Sequence, residues 1–427
     1  MKAVQLAKAI RSGAYDERLT ALYGADKAAA QRGRYAAAAE SFAAEFGDLE
    51  NAQLFSVPGR SEIIGNHTDH QHGAVVAAAI DLDIIAVAVP AIDGKLIVKS
   101  EGFPDVAVVD ITKQNPGDYP DYSDKALIAG MNVGFKNRGY KTGAFKAYTT
   151  SDVLRGSGLS SSAAFEVMVG NILNHLYNDG GIDAPVIAQI AQYSENVFFG
   201  KPCGLMDQTA AAVGGFVNID FEDPKKPVIN KLDFDLTGAG YALCIVDTGG
   251  NHADLSPDYA SVPGEMRELA GRFGLEYLRP LKMETLRSKI YELRRSGISD
   301  RAILRGMHFI AENERVFSQV ENIKKGDIKA FLATELESGN SSMMLLQNVY
   351  TCHNYAEQGV TIALALAAQF LEGREGAWRV HGGGFAGTIQ CFVRLCDVDE
   401  FVTYMDGLMG EGRTKVLHVR ADGAVKL

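Results

Sequence analysis

No stretch of this chain offers the roughly 20 nearly uninterrupted apolar residues that a membrane-crossing helix needs. The most apolar window, Val75 to Val89, carries Asp81 and Asp83 in its middle, is followed by Pro90, and reads as two buried strands. Cysteine is sparse: the five residues Cys203, Cys244, Cys352, Cys391 and Cys396 are an odd number without a CxxC pair. That count suits neither a disulfide framework nor a zinc ribbon and fits a reducing cytosol. Basic residues are in deficit, with a net charge of −11 and a pI near 5.4, which argues against a nucleic-acid partner. The first residues, Met1 to Lys8, are too short and too interrupted for a signal peptide. A soluble, cytoplasmic protein without a membrane partner is expected, and the expected assembly is a monomer or a weak homodimer. There are no repeats, and no G-x-x-x-x-G-K-[ST] occurs, so this is not a P-loop NTPase.

What is present is a chain of 427 residues, 47% hydrophobic and 22% charged, long enough to bury a large core and to form two domains. Its densest local signal is Gly156-Ser157-Gly158-Leu159-Ser160-Ser161-Ser162-Ala163-Ala164. Phe165, Met168, Ile172 and Leu176 recur at helical spacing, predicting a helix from Ala163 to Tyr177. A glycine-serine loop opening a helix has the design of an anion site, because unpaired N–H groups and the positive dipole end face the ligand. A serine-capped loop without a ligand is the plainer reading.

A second cluster runs from Gly59 through Arg60 and Asn66-His67-Thr68-Asp69-His70-Gln71-His72 to Gly73. It is flanked by a short strand at Leu54 to Val57, which should break at Pro58-Gly59, and by a strand-like run from Ala74 to Ile80. Polar side chains crowded between buried strands need partners, so a hydroxyl-rich ligand is a natural occupant and a solvated turn the alternative. The three histidines lack the helical HExxH spacing of a metal site.

Upstream of these clusters, residues 4 to 46 read as mostly helical, closed by Gly47. Downstream, a helix is expected from about Pro185 to Phe199, with Glu195 near its C-terminal end, where a carboxylate opposes the helix dipole unless a cation relieves it. Pro202-Cys203-Gly204-Leu205-Met206-Asp207-Gln208 follows. Asp207, set among small apolar neighbours, is a candidate base or a helix cap. Beyond residue 215, strands and then several helices alternate without a βαβ rhythm, so the class is α+β, divided near residue 215 into segments 1–215 and 216–427. Gly382, Gly384 and Gly387 formally make G-x-G-x-x-G, but the strand-like Thr388 to Val393 follows where a dinucleotide fold needs a helix.

Four of these segments together resemble the GHMP kinase family, most closely its galactokinase branch. Gly59 to Asp69 resembles GRxNxIGEHTDY, Gly156 to Ala164 the nucleotide loop P-x-G-x-G-L-[SG]-S-S-A-[AS], Pro202 to Gln208 the CGIMDQ motif, and Gly382 to Gly387 the late GGGFGG motif. The resemblance implies a two-lobed fold, with a ribosomal-S5-like N-terminal lobe, an α/β-sandwich C-terminal lobe and the active site in the cleft. It implies ATP- and Mg²⁺-dependent phosphorylation of the anomeric hydroxyl of a small-molecule sugar, most closely galactose. Gly156, Ser157, Gly158, Leu159, Ser160, Ser161 and Ser162 would wrap the phosphates, and Ser162 and Glu195 would hold Mg²⁺. Asp207 would accept or orient the hydroxyl proton, with Arg60 steadying it. Asn66, His67, Thr68, Asp69, Gly204 and Tyr259 would contact the sugar. Asn66 stands where the pattern has Glu, and His70 where it has Tyr. Loss of that negative charge would admit a uronic acid, so a kinase for galacturonate, arabinose or an N-acetylhexosamine is the alternative, with a non-catalytic sugar and ATP sensor as a further one.

Overall fold

The computed structural model describes all residues except 154–157 and 251–254. The expected loop residues Gly156 and Ser157 therefore lie outside the described residues.

The chain is built around two sheets. The first contains β1 (Gln53–Ile64), β2 (Ala74–Pro90), β3 (Lys95–Ser100), β4 (Val106–Asp110), β5 (Phe145–Ser151), β6 (Phe216–Asp220) and β7 (Val228–Leu232). The second contains β8 (Tyr241–Asp247), β9 (Gly376–Val380), β10 (Thr388–Arg394) and β11 (Thr414–Leu417), in the order β11-β8-β10-β9. The last strand, β12 (Val425–Lys426), returns to the edge of β1. Among the described residues, only the β3–β5 pairing is parallel. The chain thus crosses between sheets after Leu232 rather than at residue 215, because Phe216–Asp220 pairs with the first half of β2.

The apolar window read as two strands is one strand of 17 residues. Its alternate side chains feed two cores. Ile84, Ala86 and Ala88 face the core under helices Ser161–Tyr177 and Met206–Val213, on which Ala184–Tyr193 packs. Ile85, Val87 and Val89 pack under the N-terminal helices Ala3–Arg11, Asp16–Tyr23 and Ala28–Phe46. Both faces are covered, so the strand shows no polar alternation. Its two acids are tolerated because they are paired: Asp81 with Lys27 at 2.5 Å, and Asp83 with Arg34 at 2.6 Å and Arg420 at 3.1 Å.

β1 likewise runs through Pro58-Gly59 instead of stopping there. A register shift between Pro58 and Arg60 absorbs the proline, which has no N–H to give a ladder. The second sheet packs one face on helices Gly359–Phe370 and Val398–Met409. Its other face, with Leu243, Ile245 and Phe392, joins the core of the first. Helices Ser256–Arg272, Met283–Arg295 and Asp300–Lys325 form a further layer beside the Asn66 loop. Among the described residues, no helix is long and apolar enough to cross a membrane.

Candidate active site

β1 brings Arg60 to the glycine-serine loop. The Arg60 N–H donates to the Leu159 carbonyl at 3.2 Å, and a Cβ on Gly59 would sit 2.9 Å from that same oxygen, so only glycine permits the approach. The Arg60 guanidinium, buried, donates Nε and Nη2 to the two oxygens of Asp207, each at 2.7 Å, and Nη1 to the Gly158 carbonyl. Ser160 Oγ donates to Asp207 Oδ2. Burial pushes the Asp207 carboxyl up, but the Arg60 charge, its two hydrogen bonds and the Ser160 bond together hold it below the ordinary carboxylate range. Asp207 lies in the first turn of its helix without a side-chain cap bond, so it is not an N-cap.

Ser160 adopts left-handed backbone, φ +59°, and among the described residues no side chain caps the first-turn N–H groups of the helix that Ser161 opens. Ser161 and Ser162 face a cavity of about 860 Å³. Its far walls are Ser100, Glu101, Phe103, Tyr122, Asp152 and Phe199, with Tyr122 and Phe199 edge to face at 5.4 Å. Composition held no signal for this wall: its residues come from four separate segments.

Helix Ala184–Tyr193 continues as a π-helical turn, Ser194–Phe199, which turns Glu195 inward, 2% exposed. Glu195 accepts from Gln208 Nε2 at 2.9 Å and Lys201 Nζ at 3.2 Å. The same Gln208 amide lies 3.3 Å from Glu166 Oε2, while Glu166 Oε1 is buried without a partner among the described residues. Burial, and then the Glu195 charge, raise the Glu166 carboxyl well above its ordinary value. Glu166 follows Ser162 by one helical turn, so the four residues Ser162, Glu166, Gln208 and Glu195 form one connected patch. Two buried carboxylates served by one amide and one half-exposed lysine are short of positive charge. The donor set, a hydroxyl and carboxylate oxygens, suits a hard divalent cation. Glu166 was not foreseen; its signal is an acid on an otherwise apolar helix face.

The polar loop after β1 divides in two. Asn66 and Thr68, expected to contact a ligand, are fully buried and turned inward. Asn66 Nδ2 donates to Glu62 Oε1 at 2.9 Å and the Gly382 carbonyl at 2.6 Å. Its Oδ1 accepts from Asn348 Nδ2 at 2.7 Å and Ser342 Oγ at 3.4 Å. Thr68 Oγ1 lies 2.8 Å from the Gly65 carbonyl and 2.6 Å from that of Ala74, closing the loop. His67 and Asp69 remain partly exposed. His67 Nε2 lies 2.9 Å from the Gly383 carbonyl and Nδ1 lies 3.3 Å from His70 Nε2. Since a carbonyl only accepts, His67 carries a proton on Nε2. Gly204 fits against Asp69: a Cβ there would lie 2.7 Å from Oδ2. Tyr259 Oη donates to the Gly384 carbonyl at 2.8 Å, and its ring leaves no room for a side chain on Gly383.

The glycine-rich segment 382–387 therefore serves as a wall of carbonyls for Asn66, His67 and Tyr259, and β10 follows it, which rules out the dinucleotide reading.

Comparison with known proteins is consistent with this arrangement. Residues 127–215 match the GHMP kinases N terminal domain, and residues 40–90 match the galactokinase galactose-binding signature. The galactokinase of Streptomyces coelicolor is 30% identical over 346 residues, covering 81% of this chain and 86% of that protein. The galactokinase of Bos taurus is 30% identical over 400 residues, covering 91% and 95%. The chain belongs to the galactokinase family of GHMP kinases.

The crystal structure of Lactococcus lactis galactokinase complexed with galactose has the same fold, with a TM-score of 0.75 at 24% identity, covering 91% of this chain and 98% of that one. A mevalonate kinase shares it more distantly, with a TM-score of 0.61 at 13% identity, covering 86% of this chain and 99% of that one. The two-lobed α+β fold expected from the motifs is the one found. Both matched segments of this galactokinase-family chain contain its polar clusters: the first spans Arg60 to Asp69, the second Gly158 to Asp207.

Proposed function

We propose that this chain transfers the γ-phosphoryl group of ATP to the anomeric hydroxyl of galactose. The observation that carries the reading is the Arg60–Asp207 fork, held against Gly158 and Ser160 at the start of the helix that Ser161 opens. Phosphoryl transfer asks chiefly for positioning and charge neutralisation, and this arrangement supplies both.

In this reading the first-turn N–H groups at Ser161 and Ser162 receive phosphate oxygens, and the cavity walled by Phe103, Tyr122 and Phe199 receives the nucleoside. Ser162 and Glu195, with Glu166 close by, would hold Mg²⁺, which supplies neutralisation of the phosphate charge. His67, Asp69 and the space left by Gly204 face the sugar. The sugar oxygen bonds to the γ-phosphorus, the bond from that phosphorus to the bridging oxygen breaks, and ADP leaves. Arg60 keeps Asp207 ionised, so the carboxylate accepts a hydrogen bond from the hydroxyl and takes its proton late, once bond formation has made that proton acidic. Arg60 itself faces the charge that develops on the phosphoryl oxygens.

The test is ADP release on adding galactose to the protein with ATP and Mg²⁺, with the product identified by phosphorus NMR. Galactose 1-phosphate is expected. Binding of galactose and ATP without transfer would establish a sensor instead.

A further inference from the structure

The GRxNxIGEHTDY pattern is broken at two positions that compensate each other. Asn66 stands where the pattern has Glu, and Glu62 stands where it has Asn. In the fold these two side chains are partners, Asn66 Nδ2 donating to Glu62 Oε1 at 2.9 Å. The negative charge has not left the site; it has moved from the loop onto β1.

Its new position looks into the site. Arg60 and Glu62 pair with Ala79 and Ala77 of β2 in unbroken register, so the pleat sends both side chains to one face, where Arg60 holds Asp207. Glu62 is only half used. Oε1 takes Asn66 Nδ2 and, at 3.3 Å, Arg379 Nη2, whereas among the described residues no donor reaches Oε2. Asn66 is the opposite case, with all four of its amide hydrogen-bonding positions occupied by protein and no exposed surface. Glu62 is also a neighbour of the sugar-side acid: after burial, and against His67, its charge adds to that of Asp207 in raising the Asp69 carboxyl above its ordinary value.

Resting on the kinase reading above, we propose that Glu62 is the residue that reads a hydroxyl of the sugar, accepting its hydrogen bond through Oε2. Asn66 is a positioning residue that fixes the Glu62 side chain and does not touch the sugar. The consequence for substrate class reverses the expectation drawn from Asn66 alone. With Glu62, Asp69 and Asp207 around it, the sugar site disfavours a carboxylate, so the substrate is a neutral sugar and not a uronic acid.

The experiment compares kcat/KM for galactose and each monodeoxygalactose in the parent and in Glu62→Gln. The amide keeps an acceptor for Asn66 but presents no carboxylate to the sugar. Deleting the hydroxyl that Glu62 reads should cost the parent about 10- to 100-fold, the scale of a charge-assisted hydrogen bond. In Glu62→Gln the same deletion should cost less than about threefold, while the other deletions keep their parental cost. The KM for ATP should stay unchanged. Glu62→Asp, which keeps a charge for Arg379, should show the same loss of one hydroxyl's contribution and guards against misfolding of the amide variant. Asn66→Ser, which releases the Glu62 side chain, should reduce the same hydroxyl's contribution, and by less than Glu62→Gln does. Equal deletion costs in parent and both Glu62 variants, or a loss confined to Asn66→Ser, would overturn the proposal while leaving the kinase reading intact. A parent that phosphorylates none of the sugars would overturn both.

Discussion

Replacing Asp207 with Asn separates the chemistry of this site from its architecture. The carboxylate accepts two bonds of 2.7 Å from Arg60 and one from Ser160. Asn can accept only through Oδ1, and its NH₂ then faces a guanidinium donor. One charge-assisted bond is lost, about 1.5–3 kcal/mol, so the melting temperature should fall by several degrees without loss of the fold. The catalytic loss should be larger. Removal of a positioned proton acceptor costs about 10²- to 10⁴-fold, or about 2.7–5.4 kcal/mol of barrier. Because that interaction grows only in the transition state, the dissociation constants for galactose and for ATP should change by no more than about threefold. Calorimetric titration and a coupled ADP assay on one preparation measure both halves. The pH dependence supplies a second check. Asp207 is depressed in the folded state, so its stabilisation is present above the ordinary carboxylate value and is lost as pH falls through the lowered one. The gap in melting temperature between parent and variant should therefore hold at pH 7 and narrow in acid. Turnover within tenfold of the parent would refute the role given to Asp207. A tenfold weakening of sugar binding with little change in kcat would make it a binding group instead.

Two further outcomes concern buried carboxylates away from the transfer step. Glu335 is buried beside Arg379 at 3.9 Å, and burial pushes its carboxyl up to about 8. A raised group stabilises below its unfolded value and loses that contribution as pH rises toward the folded one. Thermal melts between pH 5 and 8 should fall less steeply for Glu335→Gln than for the parent, and parallel curves would contradict the assignment. Asp83 is the hub of a buried cluster, accepting from Tyr23, Ser56, Arg34 and Arg420. Asp83→Asn leaves two guanidinium groups undercompensated and should cost about 3–5 kcal/mol in urea unfolding, with a cost below about 1 kcal/mol counting against it.

Several of these groups were readable from local pattern. A glycine-serine loop before an apolar helix marks a helix start whose first N–H groups need a partner, since they have none of their own; that Ser160 does not cap them is visible only in the fold. Asp207 stood out as an acid among small residues, and the failure of the glycine-rich 382–387 segment as a dinucleotide site followed from the strand after it. Other features were not local. β2 read as two strands because an acid in an apolar run argues for a break, and nothing in the run announces Lys27, Arg34 and Arg420 as its partners. The cavity wall of Phe103, Tyr122 and Phe199 assembles from loops without periodicity.

Residue types and their order along the chain determined the reaction class, since motifs for anion binding, a paired acid and a polar ligand loop occur in one succession. Which side chains within the polar loop are free to meet a ligand was decided by tertiary packing alone. Asn66 and Asp69 are equally polar in sequence, yet Asn348, Ser342 and the Gly382 carbonyl come from more than 270 residues away to saturate Asn66, while Gly204 leaves room for the Asp69 carboxylate. Hydrogen-bonding capacity belongs to the residue; whether any of it is left for a ligand depends on distant partners that only the folded chain brings within 3 Å or so.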